Sequence, residues 1–119
     1  MLDDVNILLV EDEALIALDL SDRFEAEGAT VVGPFGTLDE AVDRALRPEV
    51  KPDVAVLDVD LHGRPVFPLA DKLSAAGVPF MFHTGRADVD ELRDRYGDVP
   101  VVAKPCLPDQ LVETVSALL

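Results

Sequence analysis

The chain alternates short apolar runs with longer stretches in which apolar residues recur every three or four positions. The apolar runs lie at Val5 to Val10, Thr30 to Val32, Asp53 to Asp58, Pro79 to His83 and Pro100 to Ala103. Most are apolar at consecutive positions, which is typical of strands covered by helices on both faces. The pattern therefore predicts a repeated βα unit, a parallel sheet and one α/β domain over residues 1–119.

Amphipathic segments separate and follow these runs. The clearest is the last, where an apolar stripe follows Pro108: Leu111, Val112, Val115, Leu118 and Leu119. The other helices are expected near 13–27, after the capping-box sequence Thr37 to Glu40, near 65–76 and near 88–96, the last having the weakest pattern. Parallel sheets of this kind bind ligands at the carboxyl ends of their strands. Functional side chains are therefore expected directly after the apolar runs.

Polar side chains stand at four of these strand ends. They are Glu11, Asp12 and Glu13 after the first run, Asp58 and Asp60 at the third, Thr84 at the fourth, where Gly85 follows it, and Lys104 at the fifth. Carboxylates that lie close together raise one another's pKa unless a cation neutralises them, and Mg²⁺ accepts such an oxygen-rich set. Lys104 and the Thr84 hydroxyl, on the other side of these acids, could contact the oxygens of a phosphoryl group. Asp58 would then be the nucleophile to which that group is transferred.

Charge and composition narrow the choice of partners. The chain has 24 acidic and 10 basic residues and a formal charge of −14, which disfavours contact with phosphate backbones. Its apolar runs are far shorter than the ~20 residues of a membrane span, and its first residues lack the basic and apolar regions of a secretory signal. With Cys106 as the single cysteine, the expected setting is the reducing cytoplasm, with neither nucleic acid nor membrane as a partner.

These residues resemble the receiver domains of two-component response regulators over essentially the whole chain. The resemblance rests on the acidic pair after the first strand, Asp58 after the third, Thr84 after the fourth and Lys104-Pro105 after the fifth. It implies a flavodoxin-like (βα)₅ fold with strand order 2-1-3-4-5. It also implies that Asp58 accepts a phosphoryl group, with Lys104, the Thr84 hydroxyl and the backbone amides of Val59 and Gly85 as its contacts.

The same resemblance implies a cofactor and partners. Mg²⁺, replaceable by Mn²⁺ or Ca²⁺, would be held by Asp12 and Asp58, by Glu11 mainly through water, and by the backbone carbonyl of Asp60. The donor would be a sensor histidine kinase or a histidine phosphotransferase, and hydrolysis would reverse the modification. The domain would catalyse these steps on itself rather than act as a stand-alone enzyme. Without an output domain it would act through a downstream protein partner or as a phosphate sink, and a homodimer would use the face of the fourth helix, fifth strand and fifth helix.

The chain departs from the family pattern at the positions that report phosphorylation. Val101 stands where receivers commonly have an aromatic switch residue. The stretch Phe82 to Gly85 resembles a stand-alone subgroup from α-proteobacteria with the sequence Phe-Ala-Thr-Gly, but Ala87 stands where that subgroup has a tyrosine. His62 replaces a proline found in many receivers four residues after the acceptor. The conformational readout is therefore left open, and segment 86–96 is expected to respond to phosphorylation.

Two other functions compete with this interpretation. The sequence Asp58-Val59-Asp60 resembles the nucleophile motif of haloacid-dehalogenase-type phosphohydrolases, although it follows the third strand rather than the first. A non-switching interaction module is the second alternative.

Several single residues also have two interpretations. Asp60 and Arg86 either pair across the pocket mouth or are simply solvated. His62 is expected in a surface loop and His83 beside the site, and Cys106 is either a small packing residue or an accessible thiol.

Overall fold

The computed structural model describes residues 2–45, 47–85 and 89–119. The strands of its main sheet are β1 (Asn6–Val10), β2 (Thr30–Phe35), β3 (Val54–Leu57), β4 (Phe80–Thr84) and β5 (Val101–Ala103). The helices are α1 (Ala14–Ala26), α2 (Leu38–Arg44), α3 (Phe67–Ala75), α4 (Val89–Tyr96) and α5 (Pro108–Leu118). The alternation of strand and helix that the hydrophobic pattern predicts is confirmed.

The main sheet is entirely parallel. Strand β1 pairs with β2 and β3, β3 pairs with β4, and β4 pairs with β5. The resulting order, β2-β1-β3-β4-β5, confirms the flavodoxin-like topology that the family resemblance implies. Because all strands run in the same direction, their carboxyl ends meet at one edge of the sheet.

The sheet separates two apolar cores. One core lies between the sheet and helices α2, α3 and α4, and the other lies between the sheet and helices α1 and α5. Strand β1 contributes to both cores, because successive side chains on a strand point to opposite faces of the sheet. Leu8 lies in the first core and Ile7 in the second. Each fully buried Leu or Ile stabilises the fold by roughly 1.5–3 kcal/mol. Burial on both faces explains the consecutive apolar positions in the central strands.

Strand β2 is longer than the sequence predicts. It was expected to end at Val32, but it continues through Gly33 and Pro34 to Phe35. Proline is tolerated here because β2 is an edge strand and can spare one amide donor. Gly33 has φ +104°, a conformation that other residues rarely adopt, and pairing between β1 and β2 is irregular next to it.

Three further details differ from the sequence-based expectations or extend them. The predicted cap of α2 is confirmed, because the Thr37 side chain accepts a hydrogen bond of 3.3 Å from the Glu40 amide. The placement of Leu119 in the apolar stripe of α5 is wrong: this residue is 55% exposed because the helix ends at Leu118. A short antiparallel hairpin, Asp60–Leu61 with Arg64–Pro65, was not predicted.

Candidate functional site

Backbone hydrogen bonds between neighbouring strands align the polar strand ends. The Asp58 amide donates to the Val10 carbonyl at 2.9 Å, and the Lys104 amide donates to the Thr84 carbonyl at 2.9 Å. Asp58 therefore stands beside the end of β1, and Lys104 beside the end of β4. The parallel ladder brings the acids after β1 and β3 to the same edge as Thr84 and Lys104.

The Lys104 ammonium group is the centre of this edge. Its Nζ lies 2.7 Å from Glu11 Oε1, 3.1 Å from Asp58 Oδ2 and 3.5 Å from Glu13 Oε1. Glu11 and Asp58 are buried, with 3% and 6% of their surfaces exposed. A buried carboxylate is stable only when it is paired and hydrogen-bonded, and here two such groups share one ammonium. We call these four residues, Glu11, Glu13, Asp58 and Lys104, together with Asp12, the acidic pocket.

The shifts in pKa reflect this surplus of negative charge. Burial, and then the neighbouring Glu11 carboxylate, raise the pKa of Asp58 to about 7, although Lys104 opposes both effects. Burial alone would lower the pKa of Lys104, but its hydrogen bonds to Glu11 and Asp58 raise that pKa above its ordinary value. A second cation in the acidic pocket would therefore be favoured electrostatically.

The donor atoms of the acidic pocket fit a hard divalent cation. Carboxylate oxygens of Glu11, Asp12 and Glu13 lie within 4.8 Å of one another. Burial opposes ionisation of Asp12, but the backbone N–H of His62 lowers the pKa of this carboxyl by donating to Oδ2 at 3.0 Å. Oxygen ligands from a few carboxylates are the set that Mg²⁺ accepts. The residues present therefore fit the ion that the family resemblance implies.

The remaining predicted site residues lie around the acidic pocket. Thr84 is buried as the last residue of β4. Gly85 lies beside the lysine, since a Cβ added there would be 3.8 Å from Lys104 Cβ. Val59 is partly buried and packs against the core on the side of helices α2, α3 and α4. Asp60 is the first residue of the short hairpin and is exposed.

Two contacts of the acidic pocket were missed from the sequence. Glu13 was seen as a strand-end acid but was not assigned to the site, although it faces Lys104. His62 lies in an exposed loop as expected, yet it contacts Asp12, fifty residues away in the sequence. The proposed pairing of Asp60 with Arg86, and the position of Ala87, lie outside the described residues.

A cleft of about 410 Å³ lies next to the acidic pocket, between α1 and the ends of β4 and β5. His83 and Cys106 line it, with Cys106 Sγ 3.3 Å from His83 Nε2. Burial, and then the charge of Lys104, lower the pKa of His83 to about 4. Burial raises the pKa of the Cys106 thiol. The thiol therefore has the character of a packing residue rather than of a nucleophile.

Comparisons with known proteins find relatives in sequence and in fold. No family model matches the chain. The chain is 31% identical over 114 residues to the transcriptional regulatory protein PdtaR of Mycobacterium tuberculosis, a match that covers 94% of this chain and 54% of PdtaR. The chain thus spans about half the length of the curated relatives it matches.

Two solved structures are matched over nearly their whole length. The chain is similar to the signal receiver domain of a modulated diguanylate cyclase from Desulfovibrio desulfuricans G20, with 32% identity, a TM-score of 0.82 and coverage of 98% of this chain and 94% of that one. It is also similar to SdrG from Sphingomonas melonis Fr1, with 38% identity, a TM-score of 0.79 and coverage of 97% of this chain and 96% of that one.

Among the described residues, no helix has the length and apolar character that crossing a membrane requires.

Proposed function

The chain belongs to the receiver domains of two-component response regulators, and from this premise we propose that its phosphorelay function is carried by Asp58 as the phosphoryl acceptor. The observation that carries the proposal is the contact between a buried carboxylate and a lysine at the carboxyl edge of the sheet. Asp58 Oδ2 lies 3.1 Å from Lys104 Nζ and directly follows β3. The lysine is thus placed to face charge that develops on a group bonded to Asp58.

The chemistry is a transfer from nitrogen to oxygen. A carboxylate oxygen of Asp58 attacks the phosphorus of a phosphohistidine, and an O–P bond forms as the N–P bond breaks. The donor imidazole keeps the electron pair of that bond and takes up a proton. Lys104, the Thr84 hydroxyl and the amides of Val59 and Gly85 are the proposed donors to the phosphoryl oxygens.

The acidic pocket gives this reaction its dependence on a cation. Glu11, Asp12, Asp58 and the carbonyl of Asp60 would hold Mg²⁺, which when bound supplies positive charge that lets an anionic phosphoryl group approach. Without a cation, the pocket presents carboxylates to an anionic substrate. We therefore expect phosphorylation to require a divalent ion, with Mn²⁺ or Ca²⁺ as possible substitutes for Mg²⁺.

The proposed partners follow from this chemistry. A sensor histidine kinase or a histidine phosphotransferase supplies the phosphohistidine, and a downstream protein or a second copy of the chain receives the signal. The proposed location is the cytoplasm. Hydrolysis of the acyl phosphate returns the domain to its starting state.

Intact-mass spectrometry after incubation with acetyl phosphate tests the proposal. We expect the mass to increase by one phosphoryl group with Mg²⁺ present and not when a chelator removes it. Asp58→Asn should abolish the increase, because an amide is a poor nucleophile. Asp22→Asn, which neutralises an exposed acid on α1, is the matched control and should be labelled like the wild type.

The outcomes separate the alternatives. Repeated turnover of a small phosphate ester would favour the dehalogenase-type phosphohydrolase, for which the relatives reported above offer no support. Absence of labelling from both acetyl phosphate and histidine donors, with cation binding established, would favour the non-switching interaction module. Labelling that survives Asp58→Asn would contradict the assignment of the acceptor.

A further inference from the structure

The loop between the two strands of the short hairpin lies against the acidic pocket. The His62 amide donates to Asp12 Oδ2 at 3.0 Å, and His62 Nδ1 lies 3.7 Å from the same oxygen. The Gly63 amide donates to Asp60 Oδ1 at 2.8 Å, which fixes the other side of the turn. The imidazole is thus held beside one of the carboxylates that fit a divalent cation.

The identity of residue 62 decides whether this contact can exist. A proline at this position would have no amide hydrogen to donate and no side chain that can bind a metal. His62 has φ +53°, a left-handed conformation that proline cannot adopt and in which histidine is enriched. The chain therefore places both a backbone donor and a ring nitrogen where many receivers have neither.

We propose that His62 is a nitrogen ligand of the divalent-cation site and shifts its preference from Mg²⁺ toward first-row transition-metal ions. This inference rests on the proposed function only in taking Asp12 as a ligand of the cation. Imidazole is a ligand for transition metals, whereas Mg²⁺ prefers oxygen. Two ligand atoms on one octahedral ion lie about 3 Å apart, given bond lengths of about 2.1 Å.

The side chain can make the required movement. His62 is 67% exposed, so its ring rotates without displacing core residues. Its Nδ1 needs to approach Asp12 Oδ2 by less than about 1 Å from the present 3.7 Å to match that spacing. The backbone, by contrast, is fixed through the amide of the same residue.

Metal affinities of the tag-free protein test the proposal. His62→Gly keeps the amide and tolerates the left-handed backbone while removing the imidazole. We expect affinity for Ni²⁺ to fall at least about tenfold, affinity for Mn²⁺ to fall less, and affinity for Mg²⁺ to change less than about twofold. This graded loss follows the order in which nitrogen ligands favour these ions.

Electron spin echo spectroscopy of the Mn²⁺-bound protein provides a direct readout. The wild type should show coupling to ¹⁴N of a bound imidazole, and His62→Gly should lose it. The chain has only two histidines, and the other, His83, is buried. His62→Asn, which exchanges the nitrogen for an amide oxygen while tolerating the same backbone, should lose the imidazole signal and retain Mg²⁺ binding.

The outcomes distinguish this inference from the proposed function. If the wild type is labelled at Asp58 and binds Mg²⁺, but shows no ¹⁴N coupling and an equal loss for all ions in His62→Gly, only the role of His62 is overturned. If Ni²⁺ binding depends on His62 but is unchanged by Asp12→Asn, the histidine binds metal apart from the site, and the proposal is also wrong. If no divalent ion binds, both fail.

Discussion

The two ends of β4 differ in their surroundings, which are charged at one end and aromatic at the other. At its carboxyl end, Thr84 borders the acidic pocket, where one ammonium faces three carboxylates. Further back, Phe80 and Phe82 belong to a group of four rings with Phe67 and Tyr96, whose centroids lie 5.3–6.3 Å apart in tilted or edge-to-face pairs. We call these four rings the aromatic cluster.

The aromatic cluster has its interactions satisfied within the chain. The Tyr96 hydroxyl donates to Asp71 Oδ1 at 2.7 Å, and the Arg95 guanidinium lies 4.0 Å from the centre of the Phe67 ring. The acidic pocket has more buried negative charge than its lysine neutralises. This difference indicates where a bound ligand can stabilise the fold. A cation would neutralise excess negative charge in the acidic pocket, whereas the groups of the aromatic cluster already have their partners within the chain.

The largest loss of stability is expected from Phe82→Ala. Phe82 is fully buried and contacts the rings of Phe80 and Tyr96. Truncation leaves a cavity and should lower the free energy of unfolding by about 3–5 kcal/mol in chemical denaturation. Phe82→Leu fills most of the volume and should cost much less. Equal costs for the two variants would show that the cluster does not depend on packing.

Lys104→Met tests the opposite region and should also be strongly destabilising. It removes the ammonium that contacts Glu11 and Asp58, so both carboxylates remain buried without the positive charge that neutralises them. We expect the metal-free protein to lose about 3 kcal/mol at pH 8. Added Mg²⁺ should restore part of this loss, because a cation replaces the missing charge. A cost that is the same with and without Mg²⁺ would contradict the electrostatic explanation.

Protonation of His83 should weaken the fold as pH falls, an effect that protonation of Asp58 opposes over much of the same pH range. The folded-state pKa of His83 is about 4, below its ordinary value of 6.5, because burial disfavours the charged ring. Its contribution to stability is therefore complete above pH 6.5 and is lost as pH falls toward 4, by an amount on the order of 2 kcal/mol. His83→Leu should flatten this part of the pH profile, measured by urea unfolding. An unchanged slope would show that His83 is not the responsible group.

Asp58→Asn should stabilise the metal-free protein, the reverse of the usual effect of a buried substitution. The folded-state pKa of Asp58, about 7, is raised above its ordinary value by burial and by Glu11, so the ionised carboxylate weakens the fold. The gain should be about 1–2 kcal/mol at pH 8. It should shrink as pH falls below 7 and disappear near pH 4, where the wild-type carboxyl is protonated in the unfolded state as well. A gain that is equal at both pH values would indicate a cause other than charge.

The smallest effect is expected from Tyr96→Phe. The substitution keeps the ring in the aromatic cluster and removes only the hydroxyl that donates to Asp71. Loss of this partly exposed hydrogen bond should cost about 0.5–1.5 kcal/mol in thermal or chemical unfolding. Asp71→Ala removes the acceptor on the other side, and the double variant should lose less than the sum of the single variants. Additive losses would show that the bond does not contribute.

Much of the fold follows directly from sequence patterns. Consecutive apolar residues predict buried parallel strands, and the cap at Thr37 predicts the start of α2, because each depends on local chemistry. The strand order does not follow from periodicity and was supplied by the family resemblance. The short hairpin at residues 60–65 was missed because strands of two residues have no period to detect.

The site was predictable to the extent that strand ends define it. Asp58 closes one apolar run, and Thr84 and Lys104 directly follow two others, so a parallel sheet brings them to one edge. The contacts of Glu13 and His62 could not be predicted in this way. The contact of Glu13 depends on the reach of two long side chains. The contact of His62 depends on the conformation of its loop, which brings it to Asp12, fifty residues away in the sequence. Contacts between residues so far apart in the sequence can be predicted only when the conformation of the loop is known.

Borohydride trapping tests the central claim most directly. Borohydride reduces an aspartyl phosphate to homoserine, which peptide mapping by mass spectrometry locates in the chain. After incubation with acetyl phosphate and Mg²⁺, we predict homoserine at position 58 in the wild type and Asp22→Asn, and at no position in Asp58→Asn. Homoserine at another acid of the acidic pocket, or at none in a protein that binds Mg²⁺, would contradict the assignment of Asp58 as the acceptor.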